Sequence, residues 1–332
     1  MELPTGSLQR ELIARYADLM ARLGGELGER PLVLPTAEFF PDRFTGDEKS
    51  AKKLVRRMQR HAGMADIPIK TRILGAEPQE EEGGSCGTGG CGSGGCAVPG
   101  PTSDARVVDE GETWWLQIPA AELGHPVVLT TNVARSLAAI FLFETRADDE
   151  PLPEPVEASI DIAGVGLGFG VLLLAGSYIY QKSCGGPSVA QVTKLSCPEL
   201  AVLTALSAGV HEQSTKGVAK ELETTQAALF KEARELVASN PKLLERLRSA
   251  PERVAENGAT LEEATPWLLR TLGLGKKKKI SDAVPDELSL DELESVLSTM
   301  PVQRKSARRD ASQDELSAMV AEALEEARSD AE

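Results

Sequence analysis

The sequence predicts an α+β fold: a small β-sheet packed on buried helices, followed by an all-helical region and a partly disordered acidic tail. Three observations carry that expectation. Helix-periodic and β-rich runs alternate up to about residue 120; two later runs are long and almost free of charge; and from Pro198 onward every apolar pattern is helical. Of the 332 residues, 41% are apolar but only 4% aromatic, so the core has to be built from Leu, Val, Ile and Ala. The net charge of −15 counts against a nucleic-acid partner and against anionic membrane, both of which need clustered Lys and Arg.

The elements follow in order. Leu8, Leu12, Tyr16, Leu19, Met20 and Leu23 recur at helical spacing, with Ser7 placed to cap the start and Gly24 placed as terminator. PLVLP at 31–35 reads as a short strand, and AEFFPDRF as a loop with two adjacent phenylalanines pinned to the core. Thr45 and Glu48 form a capping-box pair before a helix carrying Leu54, Val55 and Met58. IPIKTRIL is the next strand. Residues 75–104 interrupt the pattern: four glutamates precede a stretch, 83–100, in which half the residues are glycine, which predicts a flexible excursion.

Order resumes with RVVDEGETWWLQIP, a hairpin turning at DEGE. VVLTTNVARSLAAIFLFE predicts a buried helix, because it is too long and too apolar for a strand. Residues 162–181 are twenty uncharged residues with five glycines, long enough to span a bilayer, and are assigned here to one helix whose glycines admit a close neighbour. Helices are expected over PELAVLTALSAG, over GVAKELETTQAALFKEARELVASN, after Asn240–Pro241, and from the Thr260–Glu263 box. Two short boxed helices then close the tail, the last with a stripe of Leu316, Met319, Val320 and Leu324. The resulting divisions are 1–74, an N-terminal α/β part of the core; 75–104, a Glu/Gly/Cys-rich insertion; 105–210, hairpin and buried helices; 211–275, a helical region; and 276–332, a charged tail.

Chemistry has few candidates. Cys86, Cys91 and Cys96 stand at C-x4-C-x4-C, with Cys184 and Cys197 as further thiols. Thiolates suit zinc or iron–sulfur clusters, but both gaps are those of a loose cluster and the surrounding glycine makes ordering the ligands costly. No cofactor is expected beyond that one option. GVGLGFG lacks the spacing of a dinucleotide loop, and CGGPS is no nucleophile elbow. Glu122 and His125, in AELGHP, read as residues of a surface turn.

PTAEFFPD at 35–42, NVARSLAAIFLFE and DIAGVGLGFGVLL together resemble a group of bacterial zincin-like proteins over residues 1–210. The resemblance implies a zinc-peptidase core in which a helix offers H-E-x-x-H. The matching positions here are Arg135 and Ala139 for the ligands and Ser136 for the base, with Glu157 or Asp161 as the former third ligand. Alanine cannot ligate, and arginine stays protonated and repels a cation. The resemblance therefore implies a degenerate site in which Arg135 pairs with a carboxylate. The expected function is that of a non-enzymatic cytoplasmic binding or scaffold protein, meeting a protein partner or a second copy through the C-terminal helices. Its alternatives are a metalloprotein using Cys86, Cys91 and Cys96, and a membrane-associated protein using 162–181. The cytoplasmic expectation rests on the lack of a basic, apolar, cleavable opening segment.

Overall fold

A computed structural model describes residues 1–27, 30–75, 106–147, 150–183 and 186–262. All of them lie within one compact unit, Met1–Pro266. The fold is mixed α+β and mostly helical, with a three-stranded and a two-stranded sheet.

Helix α1 (Gly6–Leu27) buries Leu12, Ile13, Tyr16, Ala17, Leu19 and Met20. It begins at Gly6 instead of being capped by Ser7, and it runs through Gly24 because fully buried Leu27 anchors one further turn. Leu8, counted in the apolar stripe, is exposed. Residues 31–35 form no strand. Leu32 and Val33 are buried, and the Val33 amide donates to the Gly168 carbonyl at 2.9 Å, which gives this segment a helix break as its partner. Helix α2 (Glu48–His61) is capped by Asp47, not Thr45. Asp47 accepts from the Ser50 amide at 2.6 Å, and Thr45 donates its hydroxyl to Asp47 at 3.0 Å.

Strands β1 (Ile69–Leu74), β2 (Val107–Asp109) and β3 (Trp114–Pro119) lie in the order β1-β3-β2. β2 and β3 form the expected antiparallel hairpin, and β1 runs parallel to β3 with Thr71 beside Leu116. Leu116 and Ile118 turn into the core, as the two-residue side-chain period requires. Helix α3 (Pro126–Thr145) starts on Pro126 and has thirteen buried residues, which fits its nearly chargeless sequence.

The expected single helix over 162–181 is three pieces: α4 (Val156–Gly164), a π-turn (Val165–Phe169) and α5 (Gly170–Gly176), after which β4 (Ile179–Ser183) begins. Gly168 makes the break. Its φ is +90°, and a Cβ there would lie 2.2 Å from the Pro31 carbonyl oxygen, so only glycine fits. Gly176 serves instead for close approach, since a Cβ would meet Thr131 of α3 at 2.2 Å. The spans Pro126–Thr145 and Val156–Gly176 are long and apolar enough to cross a membrane, and 72% and 94% of their most apolar 18-residue stretches are buried inside this unit.

β4 pairs antiparallel with β5 (Gly186–Ala190), a hairpin absent from the sequence expectations. Helix α6 (Cys197–Val210) follows a Ser196–Glu199 capping box. Helix α7 (Thr224–Ala238) starts seven residues later than expected, because Gly217 at φ +94° and a 3-10 turn (Val218–Lys220) come between. α8 (Pro241–Ser249) opens on Pro241 as expected, whereas the Asn240 side chain spans Leu236 and Glu262 instead of capping. A further short helix, α9 (Pro251–Asn257), was not expected. One apolar core runs from Leu12 to Leu261. The helix expected from the Thr260–Glu263 box extends outside the described residues.

Candidate functional site

The most chemically distinctive place in the core lies between α3 and α4. Arg135 is 3% exposed and Asp161 is 0% exposed. The Arg135 Nε donates to Asp161 Oδ1 at 2.7 Å, its Nη2 donates to Glu157 Oε2, and its Nη1 donates to the Val192 carbonyl at 3.3 Å. The second Asp161 oxygen accepts the amides of Lys194 and Leu195 at 2.6 and 2.8 Å. One guanidinium thereby ties α3 to both carboxylates of α4, while Asp161 fastens the segment leading into α6.

The local sequence explains this arrangement. Glu157 and Asp161 are four residues apart on α4 and so share a face; Arg135, near the middle of α3, is the first charged residue of that helix. A planar guanidinium can serve two carboxylates at once, which an ammonium does poorly. Burial pushes the Asp161 carboxyl above the ordinary carboxylate range; the charge of Arg135 and the Leu195 and Lys194 amides pull it back. Of the other two residues at the compared positions, Ser136 is 3% and Ala139 1% exposed, both on α3 inside the core.

As a chemical site this centre has a fixed cation and two carboxylates already committed to it. A metal would have to displace a charge of its own sign. Among the described residues, no three His, Cys, Asp or Glu side chains come together in a group fit for a metal ion. Cys86, Cys91, Cys96 and Cys184 lie outside the described residues, as do Leu316, Met319, Val320 and Leu324. Cys197 is buried at the start of α6, where burial raises its thiol against a hydrogen bond with Ser177.

Glu122 corrects another expectation. It is not a surface-turn residue: it is 1% exposed, paired with Arg106 and accepting from Asn132 Nδ2 at 3.0 Å. The local sequence could not show this, since both donors, Arg106 and Asn132, come from other segments. A cleft also escaped sequence reading. About 480 Å³ opens between α1, the end of α3, the 151–154 loop and α9, with Leu19, Leu142 and Ile162 as apolar lining. Its arginines are held by neighbours: Arg15 on the Glu154 carbonyl, Arg22 on Asp18 and Glu150, and Arg146 over the Phe143 ring.

No protein-family model, no curated protein and no solved structure matches the chain.

Proposed function

We propose that this is a non-enzymatic, cytoplasmic binding or scaffold protein built on a zincin-like core that no longer holds metal. The observation that carries the reading is Arg135, buried between Glu157 and Asp161. In that register Arg135 and Ala139 stand where two imidazoles would hold zinc, and Ser136 where a carboxylate would take the proton from water. Without that pair no bound water has its pKa lowered toward about 7, and position 136 has no general base. The guanidinium supplies the positive charge that the two carboxylates need.

Binding is assigned to the amphipathic stripe of Leu316, Met319, Val320 and Leu324, which suits a groove on a protein partner or on a second copy. The test is hydrolysis of unfolded casein by the full chain with zinc, cobalt or manganese added. No cleavage is expected; cleavage that a chelator stops would overturn the reading.

A further inference from the structure

The outward face of α2 carries a straight row of cations that the fold engages only at longer range, Lys53 and Arg60 toward Asp42 and Lys49 toward Asp47. Lys49, Lys53, Arg56 and Arg60 are all exposed and follow one another at intervals of four, three and four residues, which puts them on a single stripe about 16 Å long. Among the described residues none of the four makes an ion pair, whereas their neighbours do: Lys52 with Glu48, and Arg57 with Asp42. Like charges four apart weaken a helix. In a chain with 51 acidic residues, carboxylates to offset the row were plentiful. Residues 42–60 nevertheless hold seven basic and three acidic side chains.

Beside the row lies a notch of about 50 Å³ lined by Phe40, Phe44 and Leu54 together with Arg43, Lys53 and the Arg57–Asp42 ion pair, in which the one carboxylate is already neutralised. We infer that this face binds an acidic peptide segment of a partner protein, with its carboxylates along the row and one apolar side chain in the notch. Charge complementarity selects an acidic partner, and spacing fits an extended one. The three steps rise about 6, 4.5 and 6 Å, against about 6.6 Å for alternate side chains of a strand, a difference that long Lys and Arg side chains can span. A bilayer fits less well, because Ala51, Val55 and Met58, the apolar face of α2, are already buried in the core and cannot insert. A nucleic-acid strand would want exposed rings for its bases, and Phe39 and Phe40 are instead turned edge-on to His61. This inference stands apart from the Arg135 centre and holds whether or not that centre is inactive.

The experiment is fluorescence anisotropy with the full chain at low salt. The probes are a labelled glutamate peptide with one central leucine, the all-glutamate peptide, a single-stranded oligonucleotide of equal charge, and phosphatidylserine vesicles. The leucine-containing peptide is expected to bind best and to weaken as salt rises. Changing Lys49, Lys53, Arg56 and Arg60 together to Gln should weaken it about thirtyfold, the product of four exposed pairs of ordinary strength, with helix content unchanged by circular dichroism. Should that variant fail to fold, Lys53→Glu with Arg56→Glu serves instead, and it should lose the glutamate peptide while gaining a lysine one. No binding, equal binding of the all-glutamate peptide, unchanged affinity in the variants, or tighter binding of the oligonucleotide or the vesicles would each overturn the inference.

Discussion

Arg135→Ala should be among the most damaging single substitutions in the described unit. It removes the only side-chain cation paired with Asp161 among the described residues, and Asp161 is 0% exposed. Glu157, 27% exposed, can recover hydration, so most of the cost falls on Asp161. Stranding one member of a buried pair costs about 3–5 kcal/mol. For a unit of this size that is a fall in Tm of roughly 10 °C. The deficit should also depend on pH with a definite sign. Burial already raises the Asp161 carboxyl, and without Arg135 it rises further. The variant therefore takes up a proton at higher pH than the wild type, and its deficit shrinks as pH falls. Replacing both partners with apolar residues, Arg135→Met with Asp161→Leu, should recover much of the loss. Thermal melts at neutral and mildly acid pH measure all of this. An Arg135→Ala protein that melts like wild type, or whose deficit grows in acid, would refute the buried-pair reasoning.

Gly168→Ala should cost at least about 3 kcal/mol by denaturant titration, because strain at positive φ adds to a clash with the Pro31 carbonyl. Gly24→Ala should instead add about 0.5–1 kcal/mol, since Gly24 is interior to α1 with nothing within 4 Å of a new Cβ; a loss would mean that Gly24 ends the helix after all. Burial, assisted by Arg248, lowers the His211 pKa from its ordinary 6.5, so the neutral ring is the folded form. Its contribution is present above that pH and lost as pH falls toward the folded value, and His211→Gln should flatten that part of the stability profile. Leu316→Asp with Leu324→Asp should abolish partner binding or self-association while leaving the Tm of the core unchanged; a large fall in Tm would place the stripe in the core.

What the sequence made legible were features that depend on local pattern. The β2–β3 hairpin came from its turn residues, and α3 from the length of its apolar run. The pairing of Arg135 with one carboxylate, Glu157 or Asp161, was anticipated through the resemblance and not from the charge pattern; that it holds both was not. Features set by distant neighbours were not legible. Gly168 reads like its four companion glycines until Pro31 approaches it, and Glu122 reads as exposed until Arg106 and Asn132 enclose it. The Asp47 cap displaced Thr45 for a local reason that was open to reading, namely that Ser50 three residues on completes the box. The cation row on α2 was also visible as sequence. Its importance emerged only once ion pairs could be assigned to Lys52 and Arg57 and not to the other four.

The most direct test of the central claim is metal uptake by the core itself. Equilibrium dialysis against zinc and cobalt should use the full chain with Cys86, Cys91 and Cys96 changed to Ser, so that those thiols cannot contribute. With Arg135 committed to Glu157 and Asp161, no stoichiometric uptake is expected. One equivalent of metal, lost when Asp161→Asn is added, would contradict the claim that an arginine has taken the metal's place.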